Sequence, residues 1–343
     1  MNSAAALFAR PKNLVKLGLL LGLLFQLMLP GWSFSLRSND SDLLSLDEAR
    51  QYMLSLINRD RASQGVAPVT LDEAASRAAQ QHSDEMAGWG YVSHWDRQGR
   101  KPDQRYSEAG GSGAVFENVY TNHDIPFLGY RSRLAERQLF PRREIEKAQA
   151  WFFEQEAPRD GHRRNVLDPN HNKVGIGLSL AVDKNFGSRI TVCQEFVNEF
   201  VTLAESPDEL APGKQSRVAG RLDSNLALHA VQICREGEPR PMTPYDLKKT
   251  SSYSLPSQAV AICYPAPYCS PLPVNLVKTS AGEEFCLVLN PDDKWQDGLY
   301  YIMVWVRKPG SKAAFLGSTK TVRFAGGSQL GTIAADVNAT PGS

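Results

Sequence analysis

Apolar residues recur at helical spacing in three stretches of the chain. Leu46, Ala49, Met53 and Leu56 share one face, and Ser45 with Glu48 three residues on forms a capping box, so a helix is predicted from there to the stop at Gly65. A second box, Thr70 to Glu73, opens a helix to about Gly88 with the stripe Leu71, Ala75, Ala78, His82 and Met86. Pro141 starts a third, PRREIEKAQAWFFEQEA, in which Ile145, Ala148 and Phe152 align. From Gly88 to Tyr120 the pattern dissolves into glycines and polar residues, which predicts loops broken only by the apolar step Ala114-Val115-Phe116. Residues 122–140, rich in arginine and aromatics without a period, read as an insertion.

After residue 173 the pattern turns strand-like. Val174 to Val182 and Arg189 to Val197 flank DKNFGS and predict a hairpin, entered through a loop at 163–173. Three helices and a small sheet make an α+β domain over 45–202. LAESPDELAPGKQSR, residues 203–217, reads as a linker. Beyond it SRVAGRL, LALHAVQIC, AVAICY, EEFCLVLN, GLYYIMVWVR and SKAAFLGSTKTVRF predict a smaller all-β, sandwich-like domain over 218–325, ending in a tail at 326–343.

Length agrees with two domains, since 343 residues exceed one ordinary core. With 38 basic and 37 acidic side chains the net charge is +1, which offers no general drive toward nucleic acid or anionic membranes. The first residues stand apart: Arg10, Lys12 and Lys16 precede the apolar run LGLLLGLLFQLML, and Ser33-Phe34-Ser35 follows as a small-x-small cleavage candidate. This predicts a signal peptide over 1–35 and a secreted or extracytoplasmic protein; the alternative, a retained anchor, needs a longer apolar run of roughly 20 residues. Five cysteines suit an oxidising compartment, and the four after residue 230 allow three pairings. The simplest is Cys263 with Cys269 and Cys234 with Cys286, leaving Cys193 as a buried free thiol.

Candidate chemistry sits among the six histidines. His82 lies on an apolar stripe and reads as a hydrogen-bonded core residue, while His123, His171 and His229 lack acidic partners at ligand spacing. His94 in GYVSHWD and His162 in DGHRRN fall beside glycines in irregular stretches, and Glu117 in FENVY and Glu154 in WFFE add two carboxylates. Imidazole with carboxylate is a donor set suited to zinc or a similar divalent ion. No HExxH, CxxC or G-x-S-x-G motif is present, and Ser93 beside His94 is adjacency without triad geometry.

The ordered succession AAQQHSDEMA, YVSHW, FENVY, WFFE, GHRRNVLDP and KVGIGL, over residues 45–200, resembles the CAP, or SCP-like, superfamily, in its bacterial branch. The resemblance implies an α-β-α sandwich with a cleft lined by two histidines and two glutamates. By motif these are His94, Glu117, Glu154 and His162, with the histidines holding a divalent ion and Asn118 in a structural place. EQEAPRD between Phe153 and Gly161 departs from the family pattern and makes Glu156 a competitor to Glu154. The resemblance implies a binding module for a lipid, glycan or protein ligand in preference to an enzyme. The alternative is a zinc-assisted peptidase or esterase with Glu117 or Glu154 as general base.

Overall fold

The computed structural model describes residues 42–123, 131–183, 187–250, 252–292 and 294–326. The expected signal peptide, the tail from 327 and the centre of the 122–140 insertion lie outside them. In the first lobe, β1 (Leu43–Leu44) leads into α1 (Leu46–Ser63), β2 (Thr70–Leu71), α2 (Glu73–Trp89), α3 (Pro102–Glu108) and β3 (Ala114–His123). There follow α4 (Arg131–Arg137), β4 (Phe140–Pro141), α5 (Arg142–Phe153), α6 (Gly161–Leu167), β5 (Lys173–Asp183) and β6 (Gly187–Asn198).

The Ser45 capping box closes as expected, with the Ser45 side chain on the Glu48 N–H and the Glu48 carboxylate returning to the Ser45 N–H. The second helix starts later than its box suggests. Thr70 and Leu71 pair in parallel with Lys173 and Val174, so Thr70 is held in a strand and Asp72 caps α2 instead, accepting from the Ala75 N–H at 2.7 Å. Two elements replace expected loops, α3 and α6, each seven residues long and too short to show a period. The stretch 122–140 is likewise partly ordered, as the end of β3, α4 and β4.

The sheet runs β2-β5-β6-β3, with α1, α5 and α6 on one face and α2 on the other. Its first face buries Val174, Ile176, Leu178, Val192 and Phe196 against Met53, Ile57, Ile145 and Phe152. On the other face Gly175 and Gly177 let α2 approach directly: a Cβ at either would lie 2.2 Å from the backbone of Ala75 or Ala79. The result is a three-layer α-β-α sandwich.

The second lobe contains β7 (Val201–Glu205), β8 (Glu209–Leu210), β9 (Ser216–Leu222), β10 (Ala227–Glu236), α7 (Pro244–Leu247), β11 (Ala259–Cys263), β12 (Val274–Thr279), β13 (Gly282–Leu289), β14 (Gly298–Arg307) and β15 (Ala314–Phe324). Sheets β12-β13-β9-β7 and β11-β10-β14-β15-β8 enclose Val218, Leu287, Ile233, Ile302 and Val304. Residues 203–217, expected as a linker, hold the end of β7, all of β8 and the start of β9.

No flexible spacer separates the lobes. The outer face of the five-stranded sheet, with Cys234, Tyr301, Met303 and Leu316, packs on Ala114 and Phe116 of β3. Asn198 Nδ2 donates to Leu316 O at 2.8 Å, and the Thr321 N–H donates to Ser107 Oγ at 3.1 Å. β14 is therefore covered on both sides, which explains why GLYYIMVWVR is apolar throughout instead of alternating.

The expected disulfides do not form: all five cysteines are free thiols. Period-two alternation is the reason for one pair, because Cys234 faces the first lobe while Cys286 lies on the outer face of the other sheet, its neighbours Phe285 and Leu287 pointing inward. Cys263 is buried in the sandwich core, whereas Cys269 sits exposed in the loop beyond β11. Cys193 is buried and free, as its position in a strand suggests.

Candidate functional site

The candidate site lies along β3, the outer strand of the first lobe's sheet, where backbone groups lack a further strand. Neighbouring elements satisfy them. The Asn165 side chain of α6 donates to Glu117 O at 3.3 Å, and the Glu117 N–H donates to the Tyr253 hydroxyl at 3.1 Å. Around this edge His94 arrives from the loop after α2 and His162 from the first turn of α6. Their ring centroids stand 6.5 Å apart with planes at 28°. Three of the sequence candidates, His94, Glu117 and His162, thus lie together.

His94 is 9% exposed, and its Nδ1–H donates to Glu117 Oε1 at 2.9 Å. A carboxylate only accepts, so this bond sets the tautomer and leaves the Nε2 lone pair free. Arg105 of α3 grips the other Glu117 oxygen and donates to His94 O at 3.0 Å. Burial pushes the Glu117 carboxyl up, but Arg105, His82 and His94 hold it well below the usual carboxylate range. Behind His94, His82 Nε2 bonds Ser93 O at 2.8 Å, the hydrogen-bonded core histidine that its stripe position suggests.

His162 is held differently. Its ring lies against Trp151 and Phe152, with centroids at 4.8 and 5.4 Å. Its partner is Gln155, whose Oε1 accepts from the His162 backbone N–H at 3.2 Å while Nε2 reaches Nδ1 at 2.7 Å. In this amide orientation Nδ1 is the acceptor and the ring proton sits on Nε2. Burial, then the neighbouring His94, pulls the imidazolium pKa of His162 down to about 4, so the ring is neutral at physiological pH.

Glu154 caps the C-terminus of α5 and its side chain is exposed; it lines, with Glu156, Asp160 and Arg163, an outer hollow of 490 Å³. Gln155, which lies between the two glutamates in sequence, takes the place beside the His162 ring that Glu154 or Glu156 was expected to fill. Asn118 bridges the α6 side, donating to His162 O at 3.2 Å and accepting from Asn165 at 2.9 Å. Sequence reasoning missed Gln155, Arg105 and Tyr253. Only Gln155 left a signal, in the altered spacing after Trp151.

Glu117, Cys193 and Glu195 also gather in the layer under α2, with ligand-type atoms within 4.8 Å of one another. Burial and the Glu117 charge push both the Cys193 thiol and the Glu195 carboxyl well up, which keeps them protonated, and Arg105 already neutralises Glu117. An ion there would have to expel two protons and compete with a guanidinium. The pair His94 and His162, two imidazoles brought side by side beside the edge strand, is the better fit to a divalent cation.

A three-layer sandwich with paired histidines at the edge of its sheet defines the class. Residues 54–196 match the Cysteine-rich secretory protein family, CAP, and this domain belongs to the CAP superfamily. The uncharacterized protein YkwD of Bacillus subtilis (strain 168) is 25% identical over 133 residues, 39% of this chain; the match spans 43% of that protein's length. Among solved structures, an outer surface protein from Borrelia burgdorferi overlaps 45% of this chain and 97% of its own at 11% identity, with a TM-score of 0.32. An extracellular protein containing a SCP domain from Bacillus anthracis str. Ames overlaps 45% of this chain and 44% of its own at 20% identity, with a TM-score of 0.30. Overlaps of this size record a likeness and nothing about function. Among the described residues, no helix is long and apolar enough to cross a membrane.

Proposed function

We propose that this is a secreted CAP-domain protein whose cleft binds a divalent cation, zinc foremost, through His94 and His162, and receives a lipid, glycan or protein ligand at the cell surface. The observation that carries the reading is the two imidazole rings 6.5 Å apart beside the edge strand, with Nδ1 of His94 committed to Glu117 so that Nε2 is the nitrogen left for a ligand. Zinc–nitrogen bonds of about 2.0–2.1 Å would put two rings on one tetrahedral ion roughly 5 Å apart, so the rings must approach by about 1 Å. His162 must also move its proton to Nδ1, with the Gln155 amide turning over. Both requirements support weak, reversible loading.

Binding is favoured over hydrolysis by the state of the carboxylates. Glu117 is already bonded to His94, Arg105 and Cys193, and Glu154 is exposed while Gln155 holds the place beside the His162 ring, so neither supports a general-base role. Calorimetric zinc titration of the chain, against His94→Ala combined with His162→Ala, is the test. Binding present in the native chain and absent in the double variant is expected. Equal binding in both, or none in either, would remove the cation from the proposal, and zinc-dependent ester or peptide turnover would reverse the preference for binding.

A further inference from the structure

The cleft is partly roofed by the second lobe. Between β10 and β11 the chain leaves the sandwich, anchors on the first lobe through Met242 N–H to Arg97 O at 2.8 Å and through the buried Leu247 beside Met86 and Val119, then runs along the cleft. Three donors from the loop after α2 read this strap. Ser93 Oγ donates to Thr250 O at 2.7 Å, Trp95 Nε1 to Ser252 O at 3.1 Å, and Lys101 Nζ to Ser254 O at 2.9 Å. They take the carbonyls of three alternate residues. Between them the Tyr253 ring lies 4.9 Å from the His94 ring, and its hydroxyl accepts the otherwise unpaired Glu117 N–H.

These donors are side-chain N–H and O–H groups that recognise backbone carbonyls, while one aromatic side chain is read by an imidazole face and a backbone amide. None of the carbonyl bonds depends on the identity of Thr250, Ser252 or Ser254. Such a surface binds extended peptide in general and selects for a tyrosine in one position, the division of labour found where strands add to sheet edges. A glycan offers no such row of evenly spaced carbonyls, and a lipid chain would leave the Ser93 and Trp95 donors without these partners.

We propose that the groove over His94 is a recognition site for an extended peptide bearing a tyrosine, filled in this chain by its own strap, so that a peptide ligand competes with Tyr253 for the cleft. The inference rests on the reading of the cleft as a binding site and narrows its ligand to a protein segment. Tethering at both ends holds the strap at an effective concentration on the order of millimolar, so a competitor must exceed that or the strap must be displaced.

The test reads His94 itself. Full-length protein is treated with diethyl pyrocarbonate and each histidine is followed by mass spectrometry, with the exposed His123 as internal reference. In the native chain, His94 is expected to react at least tenfold more slowly than in Tyr253→Ala. Tyr253→Phe, which keeps the ring, should stay near the native rate. The synthetic peptide Thr-Ser-Ser-Tyr-Ser-Leu, the sequence of residues 250–255, added at about 10 mM to Tyr253→Ala so as to exceed the tethered strap, should restore protection; the same peptide with alanine for tyrosine should not.

A native His94 that reacts as fast as His123 overturns the roof, and that comparison needs no variant. An open His94 in a folded Tyr253→Ala chain that the peptide fails to protect overturns the peptide site. Neither readout involves metal, so the loss of zinc binding and the loss of this inference are separate results.

Discussion

The two walls of the cleft present the same side chain in different states. On the α2–α3 wall His94 is nearly buried, fixed by a charged carboxylate and roofed by Tyr253, with its tautomer already set for ligation. On the α5–α6 wall His162 is half-buried among aromatic rings and fixed by a neutral amide that leaves the proton on the outward nitrogen. A carboxylate can only accept and so dictates one tautomer, whereas an amide takes whichever orientation its other bond requires. Two histidines that look equivalent as motif residues are thus unequal as ligands.

The sharpest break between the walls is expected in stability. Glu117→Ala leaves Arg105 buried without its partner and should cost about 3–5 kcal/mol, whereas Gln155→Ala removes neutral hydrogen bonds and should cost about 1 kcal/mol, both read by denaturant unfolding. Similar losses for the two variants would erase the distinction drawn between charged and neutral support.

Acid should act on both walls, through His162 on one and through His82, behind His94, on the other. Burial, then the Arg105 charge, pulls the imidazolium pKa of His82 from 6.5 down to about 4. The unfolded chain therefore takes a proton that the fold refuses, and stability present above pH 6.5 is lost as pH falls through that window, at about 1.4 kcal/mol per pH unit for one such group. His82→Gln, which keeps an N–H for Ser93 O, should show a shallower loss between pH 6.5 and 4 than the native chain; parallel profiles would rule out His82 as the source.

Making the walls alike should strengthen the cation site. Gln155→Glu supplies a carboxylate that accepts from both the His162 backbone N–H and Nδ1–H, which frees the Nε2 lone pair. Zinc affinity by calorimetry should rise about tenfold, the scale on which such supporting groups act; unchanged affinity would show that the tautomer of His162 is not limiting. The smallest effect expected is from reductant, which should leave the melting midpoint unchanged because no thiol is paired. In the native state a thiol reagent should label the exposed Cys269 first, and Cys193, sealed behind Glu117, only on unfolding.

Much of this arrangement was legible along the chain. The Ser45 capping box, the apolar stripes of α1 and α5 and the hairpin of β5 and β6 follow from local rules, and the succession of motifs around His94, Glu117 and His162 resembles the superfamily to which the domain belongs. The fourth position escaped, because Glu154 and Gln155 differ by one residue at a helix end, where chain direction after the last turn decides which side chain meets His162. The cysteine pairings failed because counting thiols says nothing about which face of a strand each occupies.

The sequence by itself determined the long elements, since helix caps, spacing and turn residues act over a few positions. Tertiary structure alone decided that the second lobe is packed against β3 without a spacer, that the strap reaches the cleft, and that Tyr253 and Arg105 meet Glu117. Those contacts join residues separated by 12 to 136 positions, and a hydrogen bond reaching about 3 Å leaves no mark on the spacing of residues that only folding brings that close.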